Sequence, residues 1–183
     1  MRLMPAAKLE LLCACFLILC AGSLMAQEDR YDNGVSAGGK WTEYRAEDPM
    51  TAEKKIRFEL PADSTAAGEE QARIILYCTN GKLKLADFHP NVPLARPNWP
   101  GFWGQPQMRV RVRADNSHRD KSWNWVNGHF LAMDKGTTRR LLGARLFRIE
   151  FRTPDGPRIA EFSPAGLDLP LVEKACGLKP DKP

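Results

Sequence analysis

The stretch QMRVRVRAD, residues 107–115, alternates without a break, with Met108, Val110 and Val112 on one side and Arg109, Arg111 and Arg113 on the other. Side chains on a strand point to opposite faces in turn, so this pattern specifies a strand with one buried and one solvated face. The same period recurs along the chain. Ile56, Phe58 and Leu60 share a face in IRFEL, and Phe147, Ile149 and Phe151 alternate with Arg148, Glu150 and Arg152 in FRIEFR. KLKLADF turns Leu83 and Leu85 inward, and RIAEF supplies a last strand. RIILYC is apolar on both sides, Ile74, Leu76 and Cys78 against Ile75 and Tyr77, as expected of a central strand. About seven or eight short strands of this kind, with turn signals between them, define a mainly β, single-domain antiparallel sandwich or barrel. One-sided alternation fits antiparallel sheets, which tolerate water on one face.

The turn chemistry agrees. Asn80-Gly81 lies between two strand patterns and is a strong hairpin signal, and Asn127-Gly128 repeats it after SWNWV. Asp48-Pro49 and the TPDGP stretch mark further turns. TTRRLLGA is compatible with one helical turn. The period changes again in GLDLPLVEKACG. Asp168 is placed to cap a helix, Val172 and Cys176 are four apart and share a face, and Gly177 suits the stop.

The amino-terminal segment has its own signature. Arg2 and Lys8 precede an apolar run from Leu11 to Gly22, and the chain turns polar after Ala26. This describes a secretory signal peptide over residues 1–26, with an uncleaved anchor or lipidation at Cys15 or Cys20 as alternatives. The run is too short for an ordinary membrane-spanning helix, and no stable span is expected after cleavage. Residues 27–40 are polar and Gly-rich and read as a flexible lead-in, 41–178 as the β-sandwich domain and 179–183 as a tail. Without Arg2, Lys8 and Glu10, 25 basic and 21 acidic residues remain, a net charge of +4. That excess is too small to argue for nucleic acid. Cys13, Cys15 and Cys20 leave with the leader, so Cys78 and Cys176 form the one pair left in an exported chain and read as a disulfide. The expected location is the periplasm.

Several motifs fall in a fixed order: Trp41, DPMT at 48–51, the LYC ending at Cys78, RVRVRAD, W-x-x-G-H-F at 125–130 and F-x-x-x-G-L-x-x-x-L-V-x-x-A-C at 162–176. This order, over residues 41–177, resembles a group of small exported bacterial proteins of unknown function that includes type VI secretion-associated proteins. The resemblance implies export and, for some members, an association with secretion; it implies no activity. Ala52, Pro170 and the segment around Trp99 and Trp103 depart from the pattern.

Chemistry-bearing motifs are sparse. His89, His118 and His129 lack metal-ligand spacing, no G-x-S-x-G occurs, and the carboxylates are scattered. No catalytic residue, metal or cofactor is assigned. Two features remain as candidate binding residues. Arg109, Arg111 and Arg113 project from one strand face at intervals of about 7 Å, suited either to an anionic partner or to cross-strand pairing with Glu59, Glu150 or Glu161. Trp99, Phe102 and Trp103 sit in LARPNWPGFWGQPQ, stiffened by proline, and either cap an open end of the core or grip a ligand. Of Trp123 and Trp125, which share a face, at least one belongs in the core. The leading expectation is a non-enzymatic envelope module that docks on a protein partner through the aromatic loop and a sheet face. A binder of cell-wall glycan or anionic envelope polymer comes second, and a hydrolase third.

Overall fold

The computed structural model describes residues 31–64, 71–97, 99–101 and 104–181, with Trp99 described in its backbone only. The expected signal peptide, Phe102, Trp103 and the end of the tail lie outside these residues. The chain is mainly β. Its strands are β1 (Val35–Gly38), β2 (Trp41–Glu47), β3 (Lys54–Pro61), β4 (Arg73–Thr79), β5 (Lys82–His89), β6 (Trp99–Pro100), β7 (Pro106–Ala114), β8 (Ser117–Val126), β9 (Phe130–Ala132), β10 (Phe147–Thr153) and β11 (Gly156–Phe162). The helices are α1 (Lys135–Gly143) and α2 (Leu169–Cys176). Ten strands pair in the order β1-β2-β3-β4-β5-β9-β8-β7-β10-β11, and β6 pairs with β7 off this path. Every ladder is antiparallel.

The sheet is open, which excludes the barrel alternative, yet its two edges meet at points. Asp63 N–H donates to Glu161 O at 2.7 Å, Asp168 N–H to Ala37 O at 2.8 Å, and the buried Trp41 indole N–H to Pro164 O at 2.9 Å. Gly38, Gly39 and Gly166 permit this approach. A Cβ on Gly38 would lie 2.2 Å from Gly166 O, and one on Gly39 2.3 Å from Ala165 O. Residues 35–38, expected to be flexible lead-in, are therefore an edge strand, paired to β2 and held by this seam. A polar, Gly-rich composition concealed them because these glycines serve contact rather than freedom.

One face of the sheet is the core. Trp41, Phe58, Leu76, Phe88, Trp123, Phe147 and Phe162 are all at most 1% exposed, and burying one such side chain is worth about 1.5–3 kcal/mol. Phe88 meets Phe151 and Phe162 edge-on, with centroids 5.0 and 6.1 Å apart. Asn80 and Gly81 adopt φ of 49° and 74°, the left-handed pair that a tight hairpin requires. Between β4 and β5 a bulge sets Tyr77 opposite Leu85 and Cys78 opposite Leu83, skipping Lys84. It reverses the phase of β5: Leu83 packs inward, but Leu85 turns outward and is 38% exposed, while Ala86 and Phe88 take the core positions. The simple alternation read for Leu85 fails there because one extra residue moves all that follow to the other face.

Helix α1 is longer than a single turn. Asp134 caps it by accepting from Thr137 N–H, and Thr137, Thr138, Leu141 and Leu142 form its buried stripe. Helix α2 starts at the Asp168 cap and stops at Gly177 with φ 61°. A Cβ at Gly177 would also come within 2.9 Å of Gly81 O, so the helix end rests on the hairpin turn. Cys176 is bonded to Cys78 of β4, with Cα atoms 5.0 Å apart. This crosslink points to an oxidising compartment. Among the described residues no helix is long and apolar enough to cross a membrane.

Candidate functional site: an arginine face on the outside of the sheet

The strand alternation places Met108, Val110 and Val112 in the core and leaves Arg109, Arg111 and Arg113 exposed on the outer face. The ladders decide what stands beside them. Across β7, Arg109 lies opposite Ser122, Arg111 opposite Asp120 and Arg113 opposite His118 of β8. On its other edge, Arg111 lies opposite Glu150 and Arg113 opposite Arg148 of β10. The ladder ends at Glu150–Arg111; beyond it the Arg152 carbonyl accepts from Ala95 N–H, and Arg109 and Arg152 both line one hollow. Strand β11 adds Glu161 opposite Arg148, Ile159 opposite Glu150 and Pro157 opposite Arg152.

The outer face is thus three rows of different charge. The first, Ser122 and Arg109 with Arg152 and Pro157 beyond the end of the β7–β10 ladder, holds two arginines. The second, Asp120–Arg111–Glu150–Ile159, holds one arginine between two carboxylates. The third, His118–Arg113–Arg148–Glu161, holds two arginines and one carboxylate. Side-chain geometry follows this arrangement. Arg111 reaches Asp120 at 3.2 Å and Glu150 at 3.5 Å. Arg148 pairs with Glu161 at 2.5 Å, and Arg113 Nε donates to the backbone carbonyl of Asp115 at 2.7 Å. Arg152 is exposed and has no ion pair among the described residues. Exposed ion pairs of this kind add little stability, about 0–1 kcal/mol each, but they hold the guanidinium groups in place.

Two hollows open on this face. One of about 620 Å³ is lined by Arg109, Arg111, Asp120, Lys121, Glu150 and Arg152 among others; the second, about 470 Å³, by Arg111, Arg113, His118, Arg148, Glu150 and Ile159. Arg111 and Glu150 line both, so the middle row is the ridge between them.

The cross-strand pairing weighed from the sequence holds for Glu150, which meets Arg111. Glu161 meets Arg148 instead. Glu59 is a different case: it sits on β3 and pairs with Arg57 at 3.0 Å and Arg73 at 3.8 Å, far along the sheet path from β7. Arg148, Arg152, Asp120 and Ser122 complete the face, and no motif singled them out. They become visible only once β7 is known to lie between β8 and β10.

Of the aromatic segment, Leu94 is buried in the core and Ala95 N–H donates to Arg152 O at 3.0 Å. Trp125, partly buried, donates its indole N–H to Ala95 O at 3.1 Å, while Trp123 is the ring wholly in the core. The entry to this segment therefore crosses from the β8–β9 hairpin to the end of β10. The Trp99 side chain, Phe102 and Trp103 lie outside the described residues, and the arginine face is argued without them.

The opposite half of the outer sheet carries a second polar cluster. Asp87 is 2% exposed, its Oδ2 lies 3.6 Å from His89 Nε2, and His89 stacks on Phe130 at 4.9 Å. Burial pushes the Asp87 carboxyl above its ordinary pKa, against the pull of His89. Asp87 Oδ1 and His89 Nε2 have no hydrogen-bond partner among the described residues. Arg57 lies over the rings of Tyr31 and Tyr44 at 4.4 and 4.6 Å. No group of three or more His, Cys, Asp or Glu among the described residues is arranged to hold a metal ion.

Compared with family models, curated proteins and solved structures, the chain matches none.

Proposed function

We propose that this chain is an exported, non-enzymatic interaction module that docks on an acidic protein partner in the cell envelope through the outer face of β8, β7, β10 and β11. The observation that carries the reading is the gathering of five arginines, Arg109, Arg111 and Arg113 of β7 with Arg148 and Arg152 of β10, around two hollows on one exposed face. A cluster of like charge on one face attracts an acidic surface brought from outside. Arginine suits that task because its planar fork matches a carboxylate. The disulfide accords with a periplasmic location, and the resemblance to exported, secretion-associated proteins gives a class of machinery in which to look for the partner.

The test is site-specific photocrosslinking in envelope preparations from a probe at Ser122, with and without Arg109→Glu/Arg152→Glu. Supporting this reading requires one protein adduct that weakens as salt rises and disappears in the double variant. Salt-sensitive sedimentation with purified cell-wall sacculi, abolished by the same substitutions, would instead support the anionic-polymer reading.

A further inference from the structure

The inner positions of β2 and β3 change character along the strands. Trp41 and Phe58 are at most 1% exposed. The positions that follow on the same side are Glu43 and Arg45 on β2, and Ile56 and Lys54 on β3. Helix α2 lies over this end of the sheet, because Cys176 is bonded to Cys78 and Cys78 stands opposite Ile56. Between the helix and the strands opens a hollow of about 570 Å³. Ile56, Leu171 and Ala175 give it apolar walls, the last two being four apart on one helix face. Small-molecule sites have volumes of this order and the same make-up, mainly apolar with a few polar groups.

The charges around the hollow do not balance. Arg45, Lys54, Lys55 and Lys174 line it, against Glu43 and Glu47. Three of these cations are answered. The buried Glu43 carboxylate accepts from Arg45 at 2.7 and 3.2 Å. Lys55 reaches Asp48 at 3.9 Å. Lys54 stands opposite Glu47 in the β2–β3 ladder. Lys174, exposed on α2, has no ion pair among the described residues, and its neighbour Glu173 is held by Lys179 at 2.8 Å. We infer that the hollow binds a small amphipathic anion, an aliphatic chain with a single anionic head. The chain lies over Ile56 between the strands and the Leu171–Ala175 face of α2, and the head meets Lys174. A second anionic group on the ligand would meet Glu43 and Glu47. The site uses β2, β3 and α2, none of which carries the arginine face, so it stands whether or not that face docks a partner.

The experiment titrates the oxidised mature chain, methyl-labelled for NMR, with monomeric decanoate. Decylammonium and decanol test the role of the head, and anionic phospholipid vesicles test a bilayer as the source of the same chemistry. Decanoate is expected to bind saturably and to move the methyl resonances of Ile56, Leu171 and Ala175. Decylammonium should bind about fivefold more weakly, the scale of one exposed charge contact. Lys174→Glu, at an exposed helix position and checked for an unchanged amide spectrum, should weaken decanoate by about the same factor and leave decanol unaffected.

Decylammonium binding as tightly as decanoate, or decanoate binding that ignores Lys174→Glu, overturns the anionic head. Resonance shifts that miss Ile56 and Leu171, or no saturation before micelles form, overturn the site itself. Binding to vesicles without any response to free decanoate overturns the single-ligand hollow and assigns this end of the sheet to a membrane surface.

Discussion

Asp63, just beyond β3, donates its backbone N–H to the carbonyl of Glu161 in β11 at 2.7 Å. Its carboxylate accepts from Ser163 Oγ at 2.7 Å and from Lys40 Nζ at 2.6 Å. One residue thereby ties the first half of the sheet to the last strand and to the chain beyond it. Burial works against ionisation of this carboxylate, but the Lys40 and Ser163 contacts outweigh it and hold its pKa below the usual range.

Asp63→Ala should lower stability by about 0.5–1.5 kcal/mol, the net scale of a typical intramolecular hydrogen bond. Gly38→Ala should be worse, because its Cβ would meet a backbone carbonyl at φ 97°. Urea unfolding followed by tryptophan fluorescence measures both. An Asp63→Ala midpoint equal to wild type would show that the carboxylate's contacts with Lys40 and Ser163 contribute nothing.

The disulfide should matter at the scale of the whole fold. Closing a loop of this length, 98 residues apart in sequence, removes about 4–5 kcal/mol of unfolded-state entropy in the chain-entropy model. Reduction, or Cys78→Ala/Cys176→Ala, is expected to shift the urea midpoint down strongly. A reduced protein as stable as the oxidised one would contradict this. Peptide mapping without reductant should recover Cys78 linked to Cys176.

Asp134 links α1 to β8. It accepts from Thr137 N–H at 2.9 Å, Thr137 Oγ1 at 2.7 Å, the Trp123 indole at 3.2 Å and Lys121 at 3.3 Å. Burial opposes its charge, but these contacts prevail and pull its pKa to about 2. A depressed carboxylate stabilises the fold above its unfolded value near 3.9 and loses that contribution as pH falls toward 2. Asp134→Ala should therefore cost about 1–2 kcal/mol at neutral pH and progressively less between pH 4 and about 2. A destabilisation independent of pH would exclude the charged cap as its cause.

Asp87 should behave in the opposite way. Its proton is held more tightly in the folded chain than in the unfolded one, because burial disfavours the ionised form. Ionisation then costs stability above the folded pKa and costs nothing below the unfolded value near 3.9. Asp87→Asn is expected to raise the thermal midpoint at neutral pH, by about 1 kcal/mol in stability, with the gain vanishing near pH 4. A loss of stability at neutral pH would mean that the Asp87–His89 pair is a net asset.

Much of the sheet was legible because β7 and β10 obey the period of two, β4 is apolar on both faces as a central strand is, and the Asn-Gly turns mark where the chain reverses. Leu85 was misplaced because a bulge leaves no trace in composition. The β1 strand was hidden by glycines whose purpose is close packing against Ala165 and Gly166. The three arginines of β7 were plain from the sequence. Arg148 and Arg152 beside them were not, since strand order is set by long-range packing. Asp87 and Glu43, both 2% exposed, look like ordinary surface acids in sequence and are buried by tertiary neighbours.

The order of the strands has a consequence for assembly. From β1 to β5 each strand pairs with its predecessor, and β7 with β8, β8 with β9 and β10 with β11 continue the habit. Such hairpins need little loop closure and can gather early. The seam at Asp63 and the bond from Cys78 to Cys176 join regions that meet only after nearly all of the chain is in place. The molecule is a set of local hairpins closed by two long-range ties, the seam between its edges and the disulfide from the final helix to β4.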